Sequence, residues 1–310
     1  MASKIAQLTG NPLVREYAYG ASQSALMPVA SFLAPTVEVG SMKGFYKSYT
    51  LKSRFKIPQT RRAIGGRATE LTLGATDASY SIQPHAIDMP IDGLEQIEAE
   101  SGGIDLINES ADMAAEVGAL AHEKSVISTA LTQLGAGTDT NVASGDGVAL
   151  LDAQILAMIK AARYGSAMGI RILFGPQAWL NFKNSAAVKA RFVQGNGPQN
   201  PVLTEENASQ MLLGKPQIMI AYAGEATAAE GVTDAFDFML TTACIIFAAK
   251  DQPTRQDPSF MKTFRLRNQW MVPGSYTRDD GRVEVLKFDW AEDVKVTNSA
   301  AGVRLNLVTA

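Results

Sequence analysis

Two histidines, His85 and His122, and one cysteine, Cys244, are the chain's whole supply of imidazole and thiol. His122-Glu123 begins like the helical zinc-protease motif, but the position needing a second histidine on that helix face holds Val126. Two histidines and one cysteine cannot build a His- or Cys-rich metal centre. His122 is expected on a helix surface, and His85 in a strand beside Pro84. Cys244 lies in the apolar run Thr-Ala-Cys-Ile-Ile-Phe, where a thiol acts as a small core residue. Gly135-Ala136-Gly137 follows a helical pattern and has Thr140 where a dinucleotide loop needs its third glycine. Gly214-Lys215 precedes a proline and has Ser209 at the leading position, so it is no phosphate loop. No Gly-x-Ser-x-Gly elbow occurs. The residues assemble no catalytic, cofactor or metal site, which argues against an enzyme.

The charges are arranged with more purpose. From Lys43 to Arg67 there are eight bases and no acid; from Ala68 to Glu123 there are twelve acids and no lysine or arginine. A basic segment beside an acidic one predicts electrostatic complementarity, within or between subunits, although like-charged blocks are also ordinary solvated faces. A nucleic-acid reading rests on Phe45, Tyr46, Tyr49 and Phe55 interleaved with the bases. Most of those aromatics fall on the apolar face, whereas a stacking platform needs them beside the charges.

The elements that carry these charges read clearly. Phe45 to Ile57 alternates with period two, with Phe45, Tyr49, Leu51, Phe55 and Ile57 on one face and Tyr46, Ser48, Thr50, Lys52, Arg54 and Lys56 on the other. Pro58 and Gly65-Gly66 break it, and a second strand returns through Leu71, Leu73, Tyr80 and Ile82. The result is a long ribbon with little local sequence to cover it, and such ribbons are marginal alone. The acids ride on a helix from about Ile104 to Leu131. Its apolar stripe is Met113, Val117, Leu120, Ile127, Leu131 and Leu134, expected to face a core.

The 310 residues allow about two domains, and 46% apolar content with net charge −3 describes a folded chain. A single cysteine fits a reducing compartment. No secretory signal is apparent, and the apolar stretch Ser24 to Pro35 is too short to span a bilayer. Residues 1 to about 40 read as an extended arm that needs burial on its own subunit or a neighbour. Asp146 caps a helix through Arg163 with Leu150, Leu151, Ile155, Met158, Ile159 and Ala162 inward. Ile170 to Phe174, Gln217 to Tyr222 and Thr242 to Ala248 are buried strands between helices, an α/β module. The last fifty or so residues return as β-structure, expected beside the long helix; Asp280-Gly281 marks a hairpin and Val303, Leu305 and Leu307 a closing strand.

This order of parts resembles the major capsid protein of tailed double-stranded DNA bacteriophages, with its Hong Kong 97-type fold. The resemblance spans nearly the whole chain and includes Phe45-Tyr46 leading into the ribbon, Met89-Pro90-Ile91-Asp92 before the long helix, and Phe174-Gly175-Pro176 in the later module. It implies an α+β fold with an N-arm (1–40) and an extended β-hairpin loop (41–85). A peripheral domain with the long spine helix follows (86–137), then an α/β axial domain (138–258) and returning peripheral strands (259–310). It further implies a non-enzymatic structural subunit that self-assembles into pentamers and hexamers of an icosahedral virion shell around double-stranded DNA, assembled in the host cytoplasm. No cofactor and no membrane are involved; a separate scaffolding protein, a portal and decoration proteins are the implied partners, with DNA nearby but not specifically bound. Nothing before Lys43 could serve as a built-in scaffold. An encapsulin-like bacterial compartment or a phage tail or decoration protein are the alternatives. On this reading Lys52, Arg54, Lys56, Arg61, Arg62 and Arg67 meet Glu95, Glu98, Glu109 or Glu116 of an adjacent subunit. The acidic helix could equally face the packaged genome and keep DNA from sticking.

Overall fold

The computed structural model describes residues 28–49, 57–70, 74–101, 105–142, 145–162, 169–196, 203–228, 231–233, 235–279 and 281–309. Its longest element is helix α3, Leu106–Leu134, whose 29 residues at 1.5 Å rise reach about 44 Å. Asp105 caps it, its carboxylate accepting the Asn108 backbone N–H.

The buried face of α3 is not the whole predicted stripe. Its first half buries Ala111, Ala114, Ala115, Gly118 and Ala119, while Met113, Val117 and Leu120 are 58%, 45% and 38% exposed. Small residues face the core because the helix lies close to its sheet. A Cβ on Gly118 would stand 2.6 Å from Met271 Cε. In the second half Ile127 is buried with Val126 and Ala130, and Leu131 and Leu134 pack against the same core, as the stripe predicts.

That sheet is centred on β13, Val283–Val296. Strand β4 (Gln83–Asp92) runs antiparallel along one edge of it. Along the other edge β12 (Val272–Thr277) pairs with its first half and β11 (Met261–Leu266) with its last residues. Leu286, Phe288 and Trp290 of β13, with Met271, Ile87 and Met89, form the core under α3. A short helix α2, Gly93–Ser101, links β4 to α3.

The second sheet has the order β5-β14-β10-β6-β7. Its centre, β10 (Ala243–Ala249), is buried at every position, and burial pushes the Cys244 thiol far above its ordinary pKa. Around it stand β5 (Thr138–Asn141), β6 (Gly169–Phe174), β7 (Gln217–Ile220) and β14 (Gly302–Val308). The closing strand β14 therefore joins this sheet rather than the one under α3, and the chain just after α3 forms β5. Helices α4 (Gly147–Ala162), α5 (Pro176–Asn184) and α6 (Ala186–Asn196) form a layer on it, with α7 (Glu205–Met211) leading into β7. Asp146 caps α4 through the Val148 N–H, as the sequence predicts. Leu151, Ile155, Met158 and Ala162 point inward, but Leu150 is partly exposed. Two short strands, β8 (Gly224–Ala226) and β9 (Phe236–Phe238), form a separate hairpin.

The described part of the arm is packed at home. Helix α1 (Pro28–Leu33) buries Val29, Ala30 and Leu33 in the core of the second sheet, and β1 (Thr36–Val39) adds to the first sheet in parallel with β11. From residue 28 onward the arm finds the burial its sequence calls for on its own subunit; residues 1–27 lie outside the described residues.

Candidate assembly surfaces

The basic ribbon starts as the antiparallel pair β2 (Lys43–Tyr49) and β3 (Ala75–Ser81). At its described base the faces are the reverse of those predicted. Tyr46 is buried and Phe45 exposed, because Tyr46 and Tyr80 stack on Phe264 with ring centroids 5.5 Å and 4.7 Å away. Gly44 makes room for this, since a Cβ there would lie 2.3 Å from the Tyr80 hydroxyl. These rings anchor the base of the ribbon on the first sheet.

Past that base, residues 57–70 reach outward as loop, turning at Ile64-Gly65. Thr69 Oγ1 donates to the Gln59 carbonyl at 3.0 Å, and Arg62 Nη1 to the Gly66 carbonyl at 3.1 Å, which tie the two limbs together. Arg61, Arg62 and Arg67 are exposed, and so are the apolar side chains of Ile57 and Ile64. Leaving two isoleucines almost fully in water forgoes a burial worth roughly 1.5–3 kcal/mol each. Lys52, Arg54 and Lys56 lie outside the described residues.

Glu95 and Glu98 are exposed on α2, and Glu109 and Glu116 on α3. The last two flank the exposed Met113 and Val117, making a face both acidic and apolar. Among the described residues no ion pair joins Arg61, Arg62 or Arg67 to any of these four acids. The ribbon's described ion pair is local, Lys47 with Asp77 across β2 and β3 at 2.5 Å. The candidate contact residues are therefore presented outward on separate surfaces.

Sequence reasoning missed a charged cluster between α1, α3 and the first sheet. His122, expected on the surface, is buried, and so are Glu123 and Glu292. Glu292 on β13 takes His122 Nδ1 at 2.7 Å, Arg265 Nη2 at 3.0 Å and Trp290 Nε1 at 3.3 Å. The Arg265 guanidinium lies 3.7 Å from the centroid of the Trp270 ring. Burial pushes the Glu292 carboxyl upward, but His122 and Arg265 together outweigh it and hold it below the ordinary value. Burial also pulls Arg265 down despite Glu292, so the pairing favours the carboxylate; the guanidinium still stays charged at neutral pH.

Glu123 faces the other way and serves the arm. Its Oε1 accepts the Val29 N–H at 3.0 Å, and burial raises its carboxyl above the ordinary value despite that bond. At the far end of α1, Arg171 Nη1 donates to the Phe32 carbonyl at 2.7 Å and pairs with Asp251. An acid at the helix start and a guanidinium at its end complement the helix dipole. The only sequence signal for this cluster is two titratable residues within the small-residue run that α3 buries.

Among the described residues no group of three or more potential ligands could hold a metal ion, and no helix is long and apolar enough to cross a membrane.

No family model matches the chain, and no curated protein matches its sequence. Solved structures do. A phage-related protein from Bordetella bronchiseptica RB50 matches with 18% identity and TM-score 0.66, covering 96% of each chain. The capsid of cyanophage P-SCSP1u matches with 11% identity and TM-score 0.56, covering 89% of this chain and 86% of that one. A virus-like particle from Pyrococcus furiosus matches with 12% identity and TM-score 0.55, covering 94% and 97%. The chain has the Hong Kong 97-type fold.

Proposed function

We propose that the protein is the structural, non-enzymatic subunit of a bacteriophage head, assembling through pentamers and hexamers into an icosahedral shell around double-stranded DNA. The observation that carries this is the outward ribbon, anchored at its base and bearing exposed isoleucines and unmatched arginines, on a fold found in phage and virus-like shells. Completing such a ribbon on a neighbouring copy buries its apolar tip and neutralises its charge together. In this reading residues 1–40 are the arm and 41–85 the extended loop. Residues 86–137 and 259–310 form the peripheral part, whose last strand β14 runs into the sheet of the axial part, 138–258. Arg61, Arg62 and Arg67, with Lys52, Arg54 and Lys56, meet Glu95, Glu98, Glu109 or Glu116 of an adjacent copy. A separate scaffold, a portal and decoration proteins complete the virion, which is assembled in the host cytoplasm.

Negative-stain microscopy of the purified protein tests the reading. Closed shells or capsomer rings are the expected product, and a protein that remains monomeric at every concentration and salt would overturn it. Reversing Arg61 and Arg62 to glutamate should lower particle yield, with partial recovery when Glu109 and Glu116 are made lysine; an unchanged yield removes the proposed pairing. If the acidic helix instead repels packaged genome, lysines at Glu109 and Glu116 alter DNA filling and leave empty-shell formation unchanged. The compartment-shell alternative makes the same particle, and its content separates the two: protein cargo rather than double-stranded DNA.

A further inference from the structure

The first sheet ends in a long open edge. Strand β4 has ten residues and pairs with β13 along one side; among the described residues no strand pairs with its other side. The other outer strands of the two five-stranded sheets are shorter: β1, β5 and β7 have four residues each, and β12 has six. A short edge offers an incoming strand few backbone groups to hold it. An edge as long as β4 is a template on which another chain can add.

The ladder fixes which backbone groups β4 leaves open. In an antiparallel pair, bonded residues alternate with residues whose N–H and C=O point away from the partner. The Gly93 N–H reaches the Arg282 carbonyl at 3.2 Å, so the odd-numbered residues of β4 face β13 and the even-numbered ones face outward. The far side of β13 agrees. The Arg278 N–H bonds the Val283 carbonyl at 3.0 Å, and the Ala291 N–H bonds the Gln269 carbonyl at 3.3 Å. Val283 and Ala291, the register partners of Asp92 and Pro84, therefore turn away from β4. Pro84, Ala86, Asp88, Pro90 and Asp92 present their backbone outward.

Pro84 and Pro90 have no N–H to donate there, and each pyrrolidine ring stands where an N–H would meet a neighbour's carbonyl. They bracket Ala86 and Asp88, so a strand laid along this edge would find donors at its middle and none to either side. Strand β12 repeats the arrangement. Pro273 is in register with Phe288, which bonds toward Ile87 of β4, so Pro273 also faces outward. A second copy of β4 added antiparallel about Asp88 would in addition set two Asp88 side chains opposite each other, a like-charge pair. Inside a ladder a proline removes a bond the fold needs. At these positions it removes only a bond that another chain would make.

We propose that Pro84 and Pro90, with Pro273 on the opposite side, close the outer edges of the first sheet to strand addition. Copies of this chain then meet through other surfaces and do not join sheet to sheet along β4. The proposal goes beyond the shell-subunit reading and holds whichever particle the chain builds.

The test uses the full-length variant Pro84→Thr/Pro90→Thr, which restores both donors on a residue suited to strands. Circular dichroism and urea unfolding should show it folded and at least as stable as wild type, since the ladder with β13 is untouched. Its sedimentable, thioflavin-positive fraction should rise at least about tenfold over wild type. Adding Ala86→Pro to that variant closes the edge again at another outward position and should return the fraction toward wild type. A folded threonine variant that sediments no more than wild type, or an Ala86→Pro addition that changes nothing, would overturn the proposal. Residue-resolved hydrogen exchange of wild-type protein tests it without any substitution. The Ala86 and Asp88 amides should exchange freely in the unassembled subunit and in its particles, while Ile87 and Met89 stay protected. Protection of Ala86 and Asp88 in the particles would make β4 a docking strand and overturn the proposal, leaving the shell reading intact.

Discussion

Replacing Glu292 with glutamine tests how the long helix is held to its sheet. The substitution keeps the shape and an acceptor oxygen but removes the charge that His122, Arg265 and Trp290 converge on. Arg265, whose side chain is only 13% exposed, is left as a buried cation without its counter-charge. Breaking a buried pair from one side costs about 3–5 kcal/mol. The retained acceptor oxygen sets the expectation near the lower end, about 3 kcal/mol. That is a large part of the roughly 5–15 kcal/mol that holds a domain folded. Urea unfolding of the unassembled subunit at neutral pH measures it, with Trp270 and Trp290 beside the cluster as fluorescent reporters. The double variant Glu292→Gln/Arg265→Met should recover part of the loss by removing the orphaned cation. The pH dependence follows from the sign of the shift. A carboxyl held below its ordinary value of 4.5 contributes stability that is fully present above that value and is lost as pH falls through the folded one. Wild-type stability should therefore fall more steeply than that of Glu292→Gln below about pH 4.5. A loss under about 0.5 kcal/mol, or a double variant no better than the single, would refute the argument.

Glu123 carries the opposite shift, so its contribution is present below its ordinary value and is lost as pH rises through the raised one. Glu123→Gln should thus be tolerated at neutral pH. Glu123→Ala should cost about 1–3 kcal/mol, because the buried Val29 N–H loses its acceptor. Hydrogen exchange at residues 29–34 separates the two variants. Gly175→Ala should be severe, since a Cβ there would stand 2.2 Å from the Thr241 carbonyl oxygen, which no rotamer change can move. A loss above about 2 kcal/mol is expected in urea unfolding, and a variant as stable as wild type would show that the backbone yields there.

What the sequence determined by itself is local. Period-two alternation, Asp146 as a cap, the apolar run through Cys244 and the length of α3 are set by neighbouring residues along the chain, and the charge division between residues 43–67 and 68–123 needs no folding to be seen. The order of elements was enough to suggest the fold. Tertiary structure decided everything that depends on a distant partner. Met113, Val117 and Leu120 face water because Met271, in the bend just before β12, sits where only the alanine and glycine side of α3 fits. Tyr46 turns inward because Phe264, more than two hundred positions away, offers it a ring to stack on. The burial of His122 and Glu123 follows from Glu292 and from the Val29 N–H, neither of them near in sequence. The closing strand pairs with β10 and β5 because hydrogen-bonding edges are matched in space. A hydrophobic pattern states that a face must be covered; the partner that covers it is fixed only when the chain closes on itself.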